Sequence, residues 1–341
     1  MVYEASVVTA FQDFADKYFY LRQQAIWTIL GLGSLFFFSK LDYHRLEKIA
    51  FPTVFLSIVL LVLVLIPGFG IQALGARRWL SLGFTSIHPA EFAKLSLIIY
   101  FSLLFSKSKR TLSFLIIFGI FLSLIMFEPD LGTAVIFAAF SLSIYFCSGQ
   151  TFLGPLFLSL IGFLTGVFLI FASPYRRERL LTFLDLTRDP LGASYHIRQV
   201  LLALGSGGLW GLGLGASRQK YYYLPESMTD SIFAIIGEEL GFFGTSLLVF
   251  VFLLIVIQGI KIADSAPDSF GRLLAVGITS LIGFQAFVNL AAMVALAPLT
   301  GIPLPFISYG GSSLIVILTA SGILLNISKQ TSLKKEVRKK S

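Results

Sequence analysis

Ile49-Ala50-Phe51-Pro52-Thr53-Val54-Phe55-Leu56-Ser57-Ile58-Val59-Leu60-Leu61-Val62-Leu63-Val64-Leu65-Ile66 runs for eighteen residues without a charge. About 20 apolar residues in a helix cross the hydrocarbon of a bilayer, so this run predicts a transmembrane span. Comparable runs lie near 21–39, 90–105, 112–128, 132–147, 152–172, 231–258, 273–297 and 312–327. No alternating barrel pattern is present, and in lipid only helices or closed barrels satisfy the backbone. The expected fold is therefore all-α: a polytopic membrane bundle of about nine transmembrane helices, read as one domain over 1–341.

Composition agrees. Of 341 residues 56% are hydrophobic and 13% charged, with a mean hydropathy of +0.86. A soluble domain carries about 25% charge, so a soluble surface is excluded. The net charge of +8 sits mostly in short clusters flanking apolar runs, which argues against a nucleic-acid partner. The single cysteine, Cys147, excludes an internal disulfide. Lys40, Arg45 and Lys48, then Lys107, Lys109 and Arg110, and the basic tail 328–341 fall on one side if the spans alternate. The positive-inside rule makes that side, and the C-terminus, cytoplasmic.

On the other side, residues 173–230 form the longest predicted loop. Arg198, Arg218 and Lys220 give it the cations that suit an anionic ligand such as a phosphorylated lipid; contact with lipid headgroups is the alternative. Its glycines, from Gly205 to Gly215, lack the βαβ setting of a dinucleotide fingerprint and suit tight turns and close packing. Asp230 stands before the run at 231–258, where it is either an ordinary helix N-cap or a reactive carboxylate. Glu238 and Glu239 lie roughly 12 Å further along the helix. A carboxylate at that depth must be paired, protonated or watered.

A shorter loop holds Arg77, Arg78 and Trp79, the last reading as an interfacial aromatic, and His88, reading as plain loop. Pro89 opens the next helix, on which Glu91 and Lys94 share a face and can pair. Glu128-Pro129-Asp130 ends a span. Pro298–Ser313, rich in proline and glycine, cannot be continuous helix, and Gln285 and Asn289 precede it on one face. The sum is a polar cavity open to the outer leaflet, for an anionic, lipid-linked ligand.

These residues resemble the SEDS family (shape, elongation, division and sporulation), the membrane-embedded peptidoglycan glycosyltransferases. The matching pieces are Ala76-Arg77-Arg78-Trp79, Pro89-Ala90-Glu91-Phe92-Ala93-Lys94, Glu128-Pro129-Asp130-Leu131-Gly132-Thr133, Ala203-Leu204-Gly205-Ser206-Gly207-Gly208, Leu224-Pro225-Glu226 with Thr229-Asp230, and Gly301 to Ser313. Gly215 to Lys220 runs into Leu224 without an insertion, which is most similar to the division branch. The resemblance implies polymerisation of lipid II at the outer face of the bacterial cytoplasmic membrane. Implied partners are a class B penicillin-binding protein and other membrane proteins of the division machinery.

The resemblance also implies Asp230 as catalytic base. It implies Arg77, Arg78, Trp79, Glu91, Lys94, Gln199, Ser206, Arg218, Lys220 and Glu226 as substrate-binding residues. A divalent cation (Mg or Mn) could share the phosphate charge, although no sequence motif demands one. The family has ten helices, the first ending in something like Met-Val-Tyr-Ser-Ala-Ser; here Met1-Val2-Tyr3-Glu4-Ala5-Ser6 begins the chain, so the resemblance implies the ten-helix fold lacking its first helix. Met228 and Ser231 stand where the family usually has His and Phe. Competing readings are a lipid II flippase and a non-catalytic scaffold.

Overall fold

The computed structural model describes every residue except 74, 75, 82, 84, 85, 109, 151–170, 172, 173, 186–193, 221–223, 225, 226 and 341. The expected span at 152–172 (Phe171 apart), Lys109 and Glu226 thus lie outside the described residues. The run at 49–66 folds as helix α3 (Leu46–Leu65). Before it come α1 (Val2–Phe14) and α2 (Phe19–Lys40); after it come a small sheet, then α4 (Pro89–Lys107), α5 (Thr111–Phe127) and α6 (Leu131–Cys147). The later helices are α7 (Pro174–Leu184), α8 (Tyr195–Ser206), α9 (Ile232–Ser265), α10 (Ser269–Met293) and α11 (Gly311–Lys340). Among the described residues, five helical segments are long and apolar enough to cross a membrane: Tyr43–Leu65, α4, α9, α10 and Gly311–Ser332. The protein is a polytopic helical membrane protein.

Three features differ from the sequence expectation. The short polar loop is an antiparallel sheet of β1 (Gly70–Ala73), β2 (Ala76–Ser81) and β3 (Ser86–Ile87), in that order. Within 173–230, α7 and α8 are regular helices, so the stretch is not all loop. The run at 231–258 extends to Ser265 and breaks at Gly241, whose φ of 66° and ψ of −164° are non-helical.

The chain divides into two units, each with its own core. The first contains Met1–Ile26, Phe157–Leu254 and Gln285–Gly310. Its core gathers Ala5, Val200, Ala203, Ile232, Phe233, Ile235, Phe252, Ala286 and Met293. The second contains Trp27–Leu156, Ile255–Phe284 and Gly311–Ser341. Here Phe101, Phe105, Phe114 and Tyr145 pack ring against ring, with centroids 4.8–5.4 Å apart.

Lipid tails are as apolar as leucine, so close packing rather than transfer from water holds such helices together. Glycines permit it: a Cβ on Gly277 of α10 would lie 2.6 Å from Ile98 of α4 and 2.8 Å from Ile144 of α6. One on Gly322 of α11 would lie 2.5 Å from the carbonyl oxygen of Leu35 in α2. Polar ties add register: the hydroxyl of Tyr43 donates to Asp268, and the Tyr43 amide donates to Asn326 Oδ1 at 3.1 Å. By contrast α3 and α9 turn Phe51, Phe55, Leu247 and Phe250 outward, a surface suited to lipid.

Candidate active site

In the first unit, Thr229-Asp230-Ser231 leads into α9, and the amide of Ala234 donates to the carbonyl of Ser231 at 2.9 Å. Asp230 is buried, and the hydroxyl of Thr229 donates to its Oδ1 at 3.3 Å. Its peptide is held from α10: Asn289 Nδ2 donates to the carbonyls of Asp230 and Ile302, each at 2.8 Å. One helical turn earlier, Gln285 Nε2 donates to the carbonyl of Pro303 at 3.1 Å.

The irregular backbone expected from Pro298 onward is present, fastened by these two amides and by a turn in which Ser308 Oγ accepts from the Leu304 amide at 2.8 Å. Tyr309 N–H donates to the carbonyl of Met228 at 2.8 Å, drawing the same stretch onto the strand of chain that carries Asp230. Gly301, at φ +71°, passes the Asp230 carboxylate, where a Cβ would sit 4.0 Å from Oδ2. Ser231 Oγ meets His196 Nε2 of α8 at 2.7 Å, a contact that no sequence signal connected to Asp230.

The glycine-rich stretch has a specific use. Where α9 breaks at Gly241, the chain from Gly207 to Gly213 supplies the missing hydrogen bonds. Leu212 and Gly213 amides donate to the carbonyls of Glu238 and Glu239 at 2.9 and 3.1 Å. In return Phe242 and Phe243 amides donate to the carbonyls of Gly208 and Leu209 at 2.9 and 3.3 Å. The approach is backbone on backbone: a Cβ on Gly207 would lie 2.0 Å from the Gly237 oxygen, and one on Gly211 2.1 Å from the Glu239 oxygen. A broken helix in an apolar surround persists only if its freed groups find such partners.

Both acidic residues beside the break are 1% exposed. Glu238 accepts from Ser217 Oγ at 2.5 Å and from the amides of Arg218 and Gln219 at 2.9 and 3.3 Å. Glu239 lies 3.3 Å from Lys220 Nζ, which also donates to Glu4 at 3.3 Å and to the carbonyl of Gly215 at 2.7 Å. Lys220 is thus a buried, multiply bonded cation, whereas Arg218 is exposed. Gln199 of α8 is half-buried, and Ser206 is exposed with its hydroxyl donated to the Ala203 carbonyl.

In the second unit, β2 carries Arg77, Arg78 and Trp79, all half-buried. Arg78 spends its fork on the turn between α5 and α6, donating from Nε to the carbonyl of Glu128 at 3.1 Å and from Nη2 to that of Pro129 at 2.6 Å. Asp130 N-caps α6, accepting from the amide and hydroxyl of Thr133 at 3.0 and 2.9 Å. Trp79 is half-buried, and its ring meets His88 edge to face, with centroids 4.9 Å apart. His88 is not plain loop. It precedes α4, donates its amide to Ser312 Oγ at 3.1 Å, and places Nε2 3.9 Å from Asp130. Burial pushes the His88 imidazole's pKa down against the pull of Asp130, which favours the neutral ring. Glu91 and Lys94 pair at 2.7 Å, with the lysine 2% exposed.

Among the described residues no three His, Cys, Asp or Glu side chains group as metal ligands. What the first unit offers is a fixed carboxylate beside ordered irregular backbone. That arrangement suits proton transfer from a hydroxyl.

The cell cycle protein family of FtsW, RodA and SpoVE matches residues 1–333. The chain is 43% identical over 338 residues to stage V sporulation protein E of Bacillus subtilis (strain 168), covering 96% of this chain and 92% of that protein. It is 40% identical over 336 residues to a probable peptidoglycan glycosyltransferase FtsW of Geobacter sp. (strain M18), with the same coverage. Among solved structures it is similar to a chain from a study of how a peptidoglycan synthase complex coordinates polymerization and crosslinking. There the TM-score is 0.76 at 28% identity, over 97% of this chain and 96% of that one.

Proposed function

This chain belongs to the FtsW, RodA and SpoVE family, and from that premise we propose that it is a peptidoglycan glycosyltransferase that polymerises lipid II into glycan strands. The observation that carries the reading is the setting of Asp230: a buried carboxylate at the head of α9, its peptide clamped by Asn289 and its flank lined by Gly301. The carboxylate takes the proton from the 4-hydroxyl of the acceptor sugar as that oxygen attacks the donor's anomeric carbon. The bond to the lipid pyrophosphate breaks, and cationic side chains receive the departing charge. Arg218, exposed in the first unit, is a candidate for that task. A divalent cation would share the pyrophosphate charge.

Orientation follows from the basic loops. Lys40, Arg45, Lys48 and the tail face the cytoplasm, and the chemistry lies at the outer face of the bacterial cytoplasmic membrane. A class B penicillin-binding protein cross-links the product, as the coupled polymerization and crosslinking of the similar complex suggests. Incubating the purified protein and that partner with lipid II tests the reading. Glycan ladders on a gel are expected. Movement of fluorescent lipid II across vesicles without any ladder would replace this function with transport.

A further inference from the structure

The proton-transfer chemistry has no use for Glu238, yet the chain keeps a carboxylate there, well inside an apolar helix where an unsatisfied charge is costly. Its three donors explain how it is tolerated. They come from consecutive residues, the Ser217 hydroxyl and the amides of Arg218 and Gln219, and they converge on one carboxylate. Successive amides turned toward a common point form the kind of concavity that binds phosphate elsewhere. Here the protein fills it with its own anion.

The neighbours follow from that fastening. The Lys220 amide lies 3.4 Å from Ser217 Oγ, and the Lys220 ammonium is tied to Gly215, Glu239 and Glu4. Ser217, Gln219 and Lys220 are buried, and Arg218 between them points to the exterior. We propose that Glu238 is a positioning residue: it fixes the backbone of Ser217–Lys220 so that the Arg218 guanidinium is presented to the diphosphate of an isoprenyl-linked ligand. Lys220 acts from inside the protein as part of the fastening. The identity of the ligand rests on the glycosyltransferase reading; the geometry does not.

Binding of farnesyl pyrophosphate to the full-length protein in detergent, followed by calorimetry, separates the possibilities. Arg218→Ala should weaken binding about tenfold, the loss of one charge-assisted contact. Glu238→Gln should weaken it about as much, because the amide offers one acceptor and turns an N–H toward donors. The double variant should be no more than about twofold weaker than either single, since both act through one guanidinium. Glu238→Asp should recover most of the loss. If Glu238→Gln fails to fold in a thermal melt, Ser217→Ala, which removes one donor, takes its place with a loss of about threefold expected.

Parent-like binding by Arg218→Ala, losses that multiply in the double variant, or no binding by the parent would each overturn the proposal. Glycan assays on the same preparations keep the two readings apart. Arg218-dependent binding without any polymer would remove the glycosyltransferase function and leave the positioning role standing. Polymer without Arg218-dependent binding would remove the positioning role alone.

Discussion

Neither carboxylate oxygen of Glu128 finds a hydrogen-bond donor among the described residues, although Arg78 donates to its peptide carbonyl. Glu128 sits in the turn between α5 and α6, and burial, with Asp130 nearby, raises its pKa from 4.5 to about 8, against the pull of Arg78. In the unfolded chain the group ionises near its ordinary value. Between pH 4.5 and about 8, the unfolded state therefore loses a proton that the folded state keeps. Stability contributed by this group is full below that window and declines as pH rises through it. Glu128→Gln should melt close to the parent at pH 4 and several degrees above it at about pH 8, in detergent at constant salt. An offset that does not change with pH would contradict this.

The residue scale also shows what sequence could and could not reveal. The Glu91–Lys94 pair is legible because its members are three residues apart on one helix. His88 meets Ser312 across 224 positions, and Asn289 reaches Asp230 across 59. No local pattern encodes such partners, so His88 reads as loop and His196 is not singled out at all.

Among the elements, the break in α9 and the glycine stretch that repairs it form one object. Gly211 sits at φ +82°, with the Glu239 oxygen where a side chain would begin; Gly213 sits at φ +103° with open space around it. Gly211→Ala should cost at least about 2 kcal/mol, the sum of backbone strain and collision. Gly213→Ala should cost about 1 kcal/mol, from strain alone. Thermal unfolding in detergent would read the difference, and equal melting temperatures for the two variants would rule out the backbone-on-backbone account. The apolar runs revealed the helices because a span needs length and apolarity, and both are visible in sequence. The sheet was missed because its strands have only four, six and two residues, too short for a period of two to register. The break was missed because glycine is common inside membrane helices.

For the whole molecule, the charge layout and the chemistry make separable claims. Cys147 is the one cysteine in the chain, so a Cys147→Ser background allows single reporters. A membrane-impermeant maleimide should label Leu214→Cys, exposed in the glycine stretch, in intact bacterial cells. It should label Ser341→Cys only after the cytoplasmic membrane is opened. The reverse pattern would invert the topology and put Asp230 on the wrong side for lipid-linked sugars.

The most direct measurement is glycan formation from purified lipid II by the parent and by Asp230→Asn, each with the cross-linking partner and each shown by melting to be folded. Loss of a positioned base should lower the rate by about a hundredfold or more, with the melting temperature near the parent's. Equal polymer from the two proteins would take Asp230 out of the chemistry and contradict the account.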